Sequence, residues 1–147
     1  MRTFVVCLAV MGSLTACDGA SSTGAFHGNR LELSMHEAQW AKRGFHAYTF
    51  DYTNEGPLFE ANVHVTVRAD TVASLIDATT GMAPQFPVFV PTIDALFGIA
   101  DAALSAKNTT VNFEFDSQFG NPTLVSAWDN NPGGPFVATV ANLQPTQ

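Results

Sequence analysis

The chain has 147 residues, of which 46% are apolar and only 13% charged. This length and composition suit one domain with a single hydrophobic core and argue against extended disorder. The formal net charge is −7, and no Lys/Arg cluster is present. Because an acidic surface repels phosphate backbones, nucleic-acid binding is not expected. Both cysteines, Cys7 and Cys17, lie near the N-terminus, so disulfides and thiolate metal sites are not expected in the rest of the chain.

The N-terminal residues have the features of an exported lipoprotein. Arg2 is followed by the apolar run Phe4–Leu14, which is shorter than the roughly 20 residues that a bilayer-spanning helix needs. The run ends in Leu14-Thr15-Ala16-Cys17, which resembles a bacterial lipobox. That resemblance implies cleavage before the cysteine and a diacylglycerol on its thiol. The alternative is an ordinary secretory signal in which the cysteine has no role.

The residues after the cysteine predict a tether followed by one domain. Asp18–Gly28 consists of small and polar residues, which is typical of a flexible linker. The predicted organisation is therefore a signal peptide over residues 1–16, a lipidated cysteine and tether over residues 17–30, and a single domain over residues 31–147.

Two helices are predicted. A short one spans Ser34–Phe45, with Ser34 as its N-cap, Glu37 completing a capping box and Gly44 ending it. A longer one begins after Thr92, whose hydroxyl can cap it. Its apolar residues recur at helical spacing and form one stripe: Ile93, Leu96, Phe97, Ala100, Ala103 and Leu104.

Alternating apolar and polar residues predict the strands. If the first two pair as a hairpin with both apolar rows on one face, the numbers of paired residues must sum to an odd number. That parity allows Asp51 and His64 to be cross-strand neighbours on the polar face. The predicted strands are His46–Tyr52, Ala61–Val67, Thr71–Ala78, Thr110–Asp116, Thr123–Trp128 and Phe136–Leu143.

The order of these elements predicts an α+β fold. A sheet whose strands alternate in polarity has one buried face. We expect a single antiparallel sheet of five to six strands, with one long and one short helix packed on one face. The proline-rich segment Thr79–Pro91, called the connector below, is expected to be irregular. Phe86 and Phe89 in the connector, together with Phe119, are the aromatic residues most expected to be exposed.

The turn after the fourth strand is the candidate contact site. Asp116 can accept backbone hydrogen bonds as an Asx-turn, and Gly120 can adopt a positive φ. One interpretation is a purely structural turn. The other is a ligand or partner site at the sheet edge, formed by Asp116, Phe119, Gly120, Asn121 and Asp129.

Two pairs of residues could support catalysis. Asp51 beside His64 could orient a base or a metal ligand. Glu114 and Asp116, on one face of a strand and about 7 Å apart, could serve glycosidic chemistry. Both arrangements also occur on ordinary exposed strands, and the sequence has neither a Gly-x-Ser-x-Gly motif nor a glycine-rich phosphate loop. We therefore predict no catalytic residues, no metal and no cofactor.

Two linked motifs resemble those of DUF6174, a family of small bacterial envelope proteins of unknown function. The first is Pro91-Thr92-Ile93-Asp94-Ala95-Leu96-Phe97, and the second is Phe115-Asp116-Ser117-Gln118-Phe119-Gly120-Asn121-Pro122. The resemblance covers roughly Trp40 to Leu143. Phe115 and Asn121 stand where the family usually has tyrosines. The resemblance implies an envelope location and a fold, and it brings no activity.

These observations favour a lipid-anchored bacterial envelope protein that acts as a non-enzymatic binding or accessory domain. The expected partners are the membrane, through acylated Cys17, and an envelope protein, peptide or small ligand. The alternatives are an envelope hydrolase that uses Asp51/His64 or Glu114/Asp116, and a purely structural envelope protein.

Overall fold

The computed structural model describes residues 28–56, 60–129 and 135–146. The predicted signal peptide, Cys17 and nearly all of the tether lie outside these residues. The described chain is α+β, as predicted, with six strands and two helices. In chain order the elements are α1 (Arg30–Trp40), β1 (Tyr48–Asn54), β2 (Ala61–Arg68), β3 (Thr71–Asp77), α2 (Ile93–Ser105), β4 (Thr109–Phe115), β5 (Pro122–Asp129) and β6 (Phe136–Pro145).

All six strands form one antiparallel sheet in the order β3-β2-β1-β6-β5-β4. β6 is the last strand in sequence, yet it lies in the middle of the sheet between β1 and β5. It therefore joins a β1–β3 meander to the β4–β5 hairpin.

The register of β1 and β2 confirms the odd-sum prediction. Tyr48 pairs with Val67 and Tyr52 pairs with Val63, so both apolar rows lie on the same face. Burial alternates along both strands. The buried members of the two rows are Tyr48, Phe50, Tyr52, Ala61, Val63, Val65 and Val67.

Helix α1 begins earlier than predicted. Asn29 is its N-cap, and the Asn29 side chain accepts a hydrogen bond from the Glu32 amide at 2.8 Å. Ser34 lies inside the helix, and its hydroxyl donates to the carbonyl of Leu31. The prediction of Ser34 as the cap was wrong because Asn29 offers an equivalent capping oxygen upstream. The helix ends at Trp40, before the predicted stop at Gly44.

Helix α2 begins as predicted. The Thr92 hydroxyl accepts a hydrogen bond from the Ala95 amide at 3.2 Å, and the predicted stripe is buried at its first four positions, Ile93, Leu96, Phe97 and Ala100. The amide of Ile93 also donates to the Tyr48 hydroxyl at 3.3 Å. Burial raises the pKa of Tyr48 to about 12, so this hydroxyl stays protonated and fixes the start of α2 on β1.

Aromatic rings join α1 to the rest of the core. The Trp40 ring contacts Tyr48 edge-on, with centroids 5.4 Å apart. His36 stacks on Phe115 with centroids 4.0 Å apart, and Phe97 of α2 stacks on Phe115 as well. Within the described residues, no helix is long and apolar enough to cross a membrane.

The sheet has two different ends. At one end β3 leads into the connector and β2 and β4 begin; this is called the connector end. At the other end lie the β2–β3 turn at Ala69–Asp70 and the turn of residues 116–122; this is called the turn end. Since α2 starts beside Tyr48, its N-terminus also lies at the turn end.

Candidate functional site

The turn of residues 116–122 is held by its own backbone. Asp116 Oδ1 accepts hydrogen bonds from the amides of Gln118 at 2.9 Å and Phe119 at 2.7 Å, the predicted Asx-turn. The Asp116 carbonyl accepts from the Gly120 amide, and the Asp116 amide donates to the Asn121 carbonyl. One carboxylate oxygen of Asp116 is therefore occupied by the turn itself.

Gly120 allows this turn to lie directly against α1. Its φ is +79°, and a Cβ at this position would lie 2.9 Å from both Gln39 Cβ and the His36 carbonyl oxygen. Gln39 Nε2 also donates to the carbonyl of Ser117 at 3.0 Å. The turn is thus a docked part of the fold, and a side chain at residue 120 would displace it.

Phe119 is less exposed than predicted. It is half-buried and packs edge-on against Phe45, with ring centroids 5.3 Å apart. The sequence did not reveal this contact because Phe45 lies in the irregular segment between α1 and β1. Phe86 and Phe89 are, as predicted, the most exposed aromatic side chains described, at 78% and 64%.

A cavity of about 270 Å³ lies between the turn of residues 116–122 and the end of β6. Among the predicted contact residues, Asp116, Phe119 and Asn121 line it, whereas Gly120 faces α1. The backbone of Asp129 pairs with Thr109 at the connector end, and the Asp129 side chain lies outside the described part of the molecule. The other lining residues are Gln118, Thr123, Val140, Ala141, Asn142, Leu143 and Gln144.

Asn121 gives this cavity its most distinctive chemical feature. Its side chain is 2% exposed, and Nδ2 donates to the carbonyl of Pro122 at 3.3 Å. Its Oδ1 is buried and accepts no hydrogen bond from any described residue. A buried acceptor without a donor costs about 1–3 kcal/mol, so burying this amide beside the cavity lowers the stability of the turn.

A bulge in β6 brings a residue that the sequence analysis missed. The pairing of β1 with β6 shifts between Thr49 and Asp51, and opposite the shift Asn142 has a φ of +52°. Asn142 Nδ2 donates to Asp51 Oδ2 at 2.7 Å, while Asp51 Oδ1 is 2.8 Å from His64 Nδ1. Asparagine tolerates this backbone conformation better than most residues, and that was the available signal.

The predicted neighbours Asp51 and His64 are therefore joined into a three-residue cluster with Asn142. The hydrogen bond from Asn142, followed by that from His64, lowers the pKa of Asp51 below its usual value. Asp51 is consequently ionised at neutral pH, and its carboxylate contacts Nδ1 of His64. The other ring nitrogen, Nε2, is not part of this contact. Both side chains remain about half exposed.

Asp51 and His64 lie on an open surface, whereas Asn142 also lines the cavity beside Asn121. The cavity beside Asn121 is not lined by Asp51, His64 or Glu114. The same three residues are absent from the lining of a groove of about 460 Å³ beside the connector. Glu114 and Asp116, the second pair considered for catalysis, have different roles. Asp116 accepts the hydrogen bonds of its turn, whereas Glu114 lies exposed on β4. In the described ranges, no three His, Cys, Asp or Glu residues are grouped as a metal site would require.

A second polar cluster at the turn end links α1, α2 and the β2–β3 turn. Arg43 stacks on the Trp40 ring at 4.2 Å and pairs with Asp70 at 2.7 Å and Asp94 at 3.2 Å. His46 Nδ1 also contacts Asp70 at 2.6 Å. These contacts hold a tight turn without glycine, in which Ala69 and Asp70 have φ values of 47° and 56°. The Arg43 cluster therefore stabilises the fold.

A protein-family model matches a large part of this chain. The model of DUF6174, a family of unknown function, matches residues 32–130. The chain belongs to the DUF6174 family. The matched DUF6174 region contains nearly all of α1, the whole of α2, the connector and the turn with Asn121, and it ends before β6. No curated protein and no solved structure matches the chain.

Proposed function

We propose that this DUF6174 protein is a lipid-anchored binding module of the bacterial envelope, without enzymatic activity, and that its ligand site is the cavity beside Asn121. The observation that supports this most directly is the buried side chain of Asn121, whose Oδ1 has no partner among the described residues, in the lining of an open cavity. A fold that only needed the turn could bury a smaller or apolar residue there at less cost.

The chemistry of the cavity indicates the kind of ligand. Its polar lining includes Asp116 and Asn121, and its apolar lining includes Phe119, Val140 and Leu143. Acceptors beside apolar side chains suit a group that donates hydrogen bonds and carries a short apolar portion. A volume of about 270 Å³ fits one side chain or one terminus of a peptide, or a comparably small ligand. The net charge of −7 favours a cationic one.

The anchor part of the proposal depends on the N-terminal sequence. Leu14-Thr15-Ala16-Cys17 follows an apolar run and precedes a small polar segment, an order that suits acylation and tethering. Two or three acyl chains hold a protein on a membrane durably, because each buried methylene contributes about 0.8 kcal/mol. We also infer that both helices cover the apolar face of the sheet, since Trp40 of α1 and Ile93 of α2 both contact Tyr48.

Site-specific crosslinking tests the binding site. A photo-crosslinking residue replaces Gln118, which is exposed at the rim of the cavity, and a control chain carries it at exposed Ser74 on β3. In the native host, we expect one defined product from position 118 and none from position 74. The Asn121→Ala variant removes the unpaired oxygen and should abolish that product while circular dichroism stays unchanged. An unaltered product with Asn121→Ala would exclude this cavity as the site.

Acylation is tested separately. Cells are grown with radiolabelled palmitate, and the wild-type protein is compared with the Cys17→Ser variant. We expect label and membrane association for the wild type alone. An unmodified N-terminal peptide in the mass spectrum of the wild-type protein would refute the anchor without affecting the binding site.

The rival hydrolase function has one observation in its favour, the hydrogen bond of 2.8 Å between Asp51 and His64. A hydrolase would lose its activity in the His64→Gln variant, whereas the binding module would keep its crosslink at position 118. The purely structural alternative predicts no crosslink from either position.

A further inference from the structure

The exposed apolar side chains are concentrated at one end of the molecule. Among the described residues, six large apolar side chains are strongly exposed, and five of them lie at the connector end. The exception is Met35, in the middle of α1. The five are Leu31 at 71%, Met82 at 60%, Phe86 at 78%, Phe89 at 64% and Trp128 at 52%.

The hydrogen bonds of the connector fix its place at this end. The Met82 carbonyl accepts from the amide of Asp77, the last residue of β3. Phe86 and Phe89 line a groove of about 460 Å³ whose other walls include Asp77 and Glu60, the residue just before β2. Trp128 pairs with Thr110 near the start of β4. Aromatic and apolar side chains are thus exposed both beside edge strand β3 and on β5, at the same end of the sheet.

The tether leaves the domain at the same end. The Gly28 amide donates to the carbonyl of Val111 near the start of β4, at 2.8 Å. The 11 residues Asp18–Gly28 that follow Cys17 can span at most about 40 Å. The sheet is six strands wide, and its outer strands are therefore about 24 Å apart. An acyl chain on Cys17 would thus hold both Trp128 and the connector within reach of the lipid surface.

We propose that the connector end rests on the bilayer that holds Cys17, with Phe86, Phe89 and Trp128 in the interfacial region. This rests on the proposed lipid anchor. Aromatic side chains favour the membrane interface, and a tether makes even a weak second contact effective, because that contact becomes intramolecular. Glu55 and Glu60 lie at the same end, so the contact is apolar and does not depend on anionic lipids.

This orientation turns the opposite end of the sheet away from the membrane. The cavity beside Asn121 lies at the turn end, next to the last residues of β6. It would therefore face the aqueous compartment, where a soluble ligand or a peptide could reach it.

Tryptophan quenching tests the orientation. The chain from Cys17 to Gln147 is coupled through its single cysteine to maleimide lipids in phosphatidylcholine vesicles that contain brominated acyl chains. The coupling is chemical, so the result does not depend on acylation in the cell, which the palmitate labelling tests by itself. In a Trp128→Phe background, where the remaining Trp40 is 1% exposed, one chain carries Phe86→Trp and the control carries Thr71→Trp at the turn end.

We expect bromine to quench the emission of the Phe86→Trp chain and to leave that of the Thr71→Trp chain unchanged. In the chain that retains Trp128, bromine should quench the emission of that residue as well. The double variant Phe86→Ser/Phe89→Ser, which also retains Trp128, should lose this quenching. The four substituted positions, 71, 86, 89 and 128, are exposed, so circular dichroism should match the wild type. Equal quenching at positions 86 and 71, or quenching at neither, would overturn the proposal.

Discussion

The two ends of the sheet differ in the contacts that their side chains make. At the turn end, tight turns are held by specific polar contacts: Arg43 joins Asp70 to Asp94, and Asp116 caps its own turn. At the connector end, a proline-rich segment follows β3 and leaves Phe86 and Phe89 largely exposed. The comparison teaches that specific polar contacts are concentrated at the turn end, whereas the connector end presents apolar side chains that contribute little to the core.

The largest expected effect is at Gly120. Gly120→Ala should lower the free energy of unfolding by about 2–4 kcal/mol, because it adds a strained φ and a close contact with α1. Gly81→Ala is the matched control at the connector end, with a φ of +69° and no atom within 4 Å of the added Cβ. It should cost about 1 kcal/mol. Urea denaturation measures both, and equal losses would contradict the docking of the turn.

Substitution of Arg43 should cause the second-largest loss of stability. Arg43→Met should cost about 1–3 kcal/mol, since it removes the cation–π contact and the ion pairs with Asp70 and Asp94. Arg30, whose pair with Asp101 is exposed, provides the control. Arg30→Met should cost about 0.5 kcal/mol or less. If thermal unfolding shows the two variants to be equally stable, the Arg43 cluster does not hold the turn end together.

The cluster of Asp51, His64 and Asn142 should respond to pH. The lowered pKa of Asp51 stabilises the fold above the unfolded value of about 3.9, and this contribution is lost as the pH falls through the folded pKa. Asn142→Ala should therefore raise the pKa of Asp51 toward its ordinary value in an NMR titration of the carboxyl carbon. Asn142→Gly should raise it equally but avoid the strain of a positive φ. An unchanged titration in both variants would show that Asn142 does not set this pKa.

The smallest effect is expected at the connector end. Phe86→Ser/Phe89→Ser should change the free energy of unfolding by about 0.5 kcal/mol or less, as for other exposed positions. A large loss of stability, measured by the same urea titration, would mean that these rings pack into the core in solution. The contrast between the two ends would then be wrong.

Most of the fold could be predicted from local patterns. The alternation in β1, β2 and β4 identified their buried faces, and the Thr92 cap and the stripe after it located α2. The start of α1 was misplaced because Asn29 and Ser34 are both good caps, and only tertiary contacts distinguish them. The insertion of β6 between β1 and β5 depends on long-range pairing, which local periodicity does not encode.

The candidate site was predictable in part. Asp116, Phe119 and Asn121 were singled out from the turn, and they line one cavity. The wall that β6 contributes was missed, because the bulge at Asn142 arises only where β6 meets β1. Parity allowed the pairing of Asp51 with His64, which the register of β1 and β2 confirms. The third member of that cluster, Asn142, lies far along the chain and was missed.

The central position of β6 also constrains how this chain can acquire its structure during synthesis. The β1–β3 meander and the β4–β5 hairpin emerge from the ribosome first, and each has an inner strand edge that only β6 pairs with. Pairing such as that of Tyr52 with Val140 closes a long loop late, which slows folding. The incomplete chain therefore exposes unpaired strand edges, a state that chaperones can hold until β6 has been made.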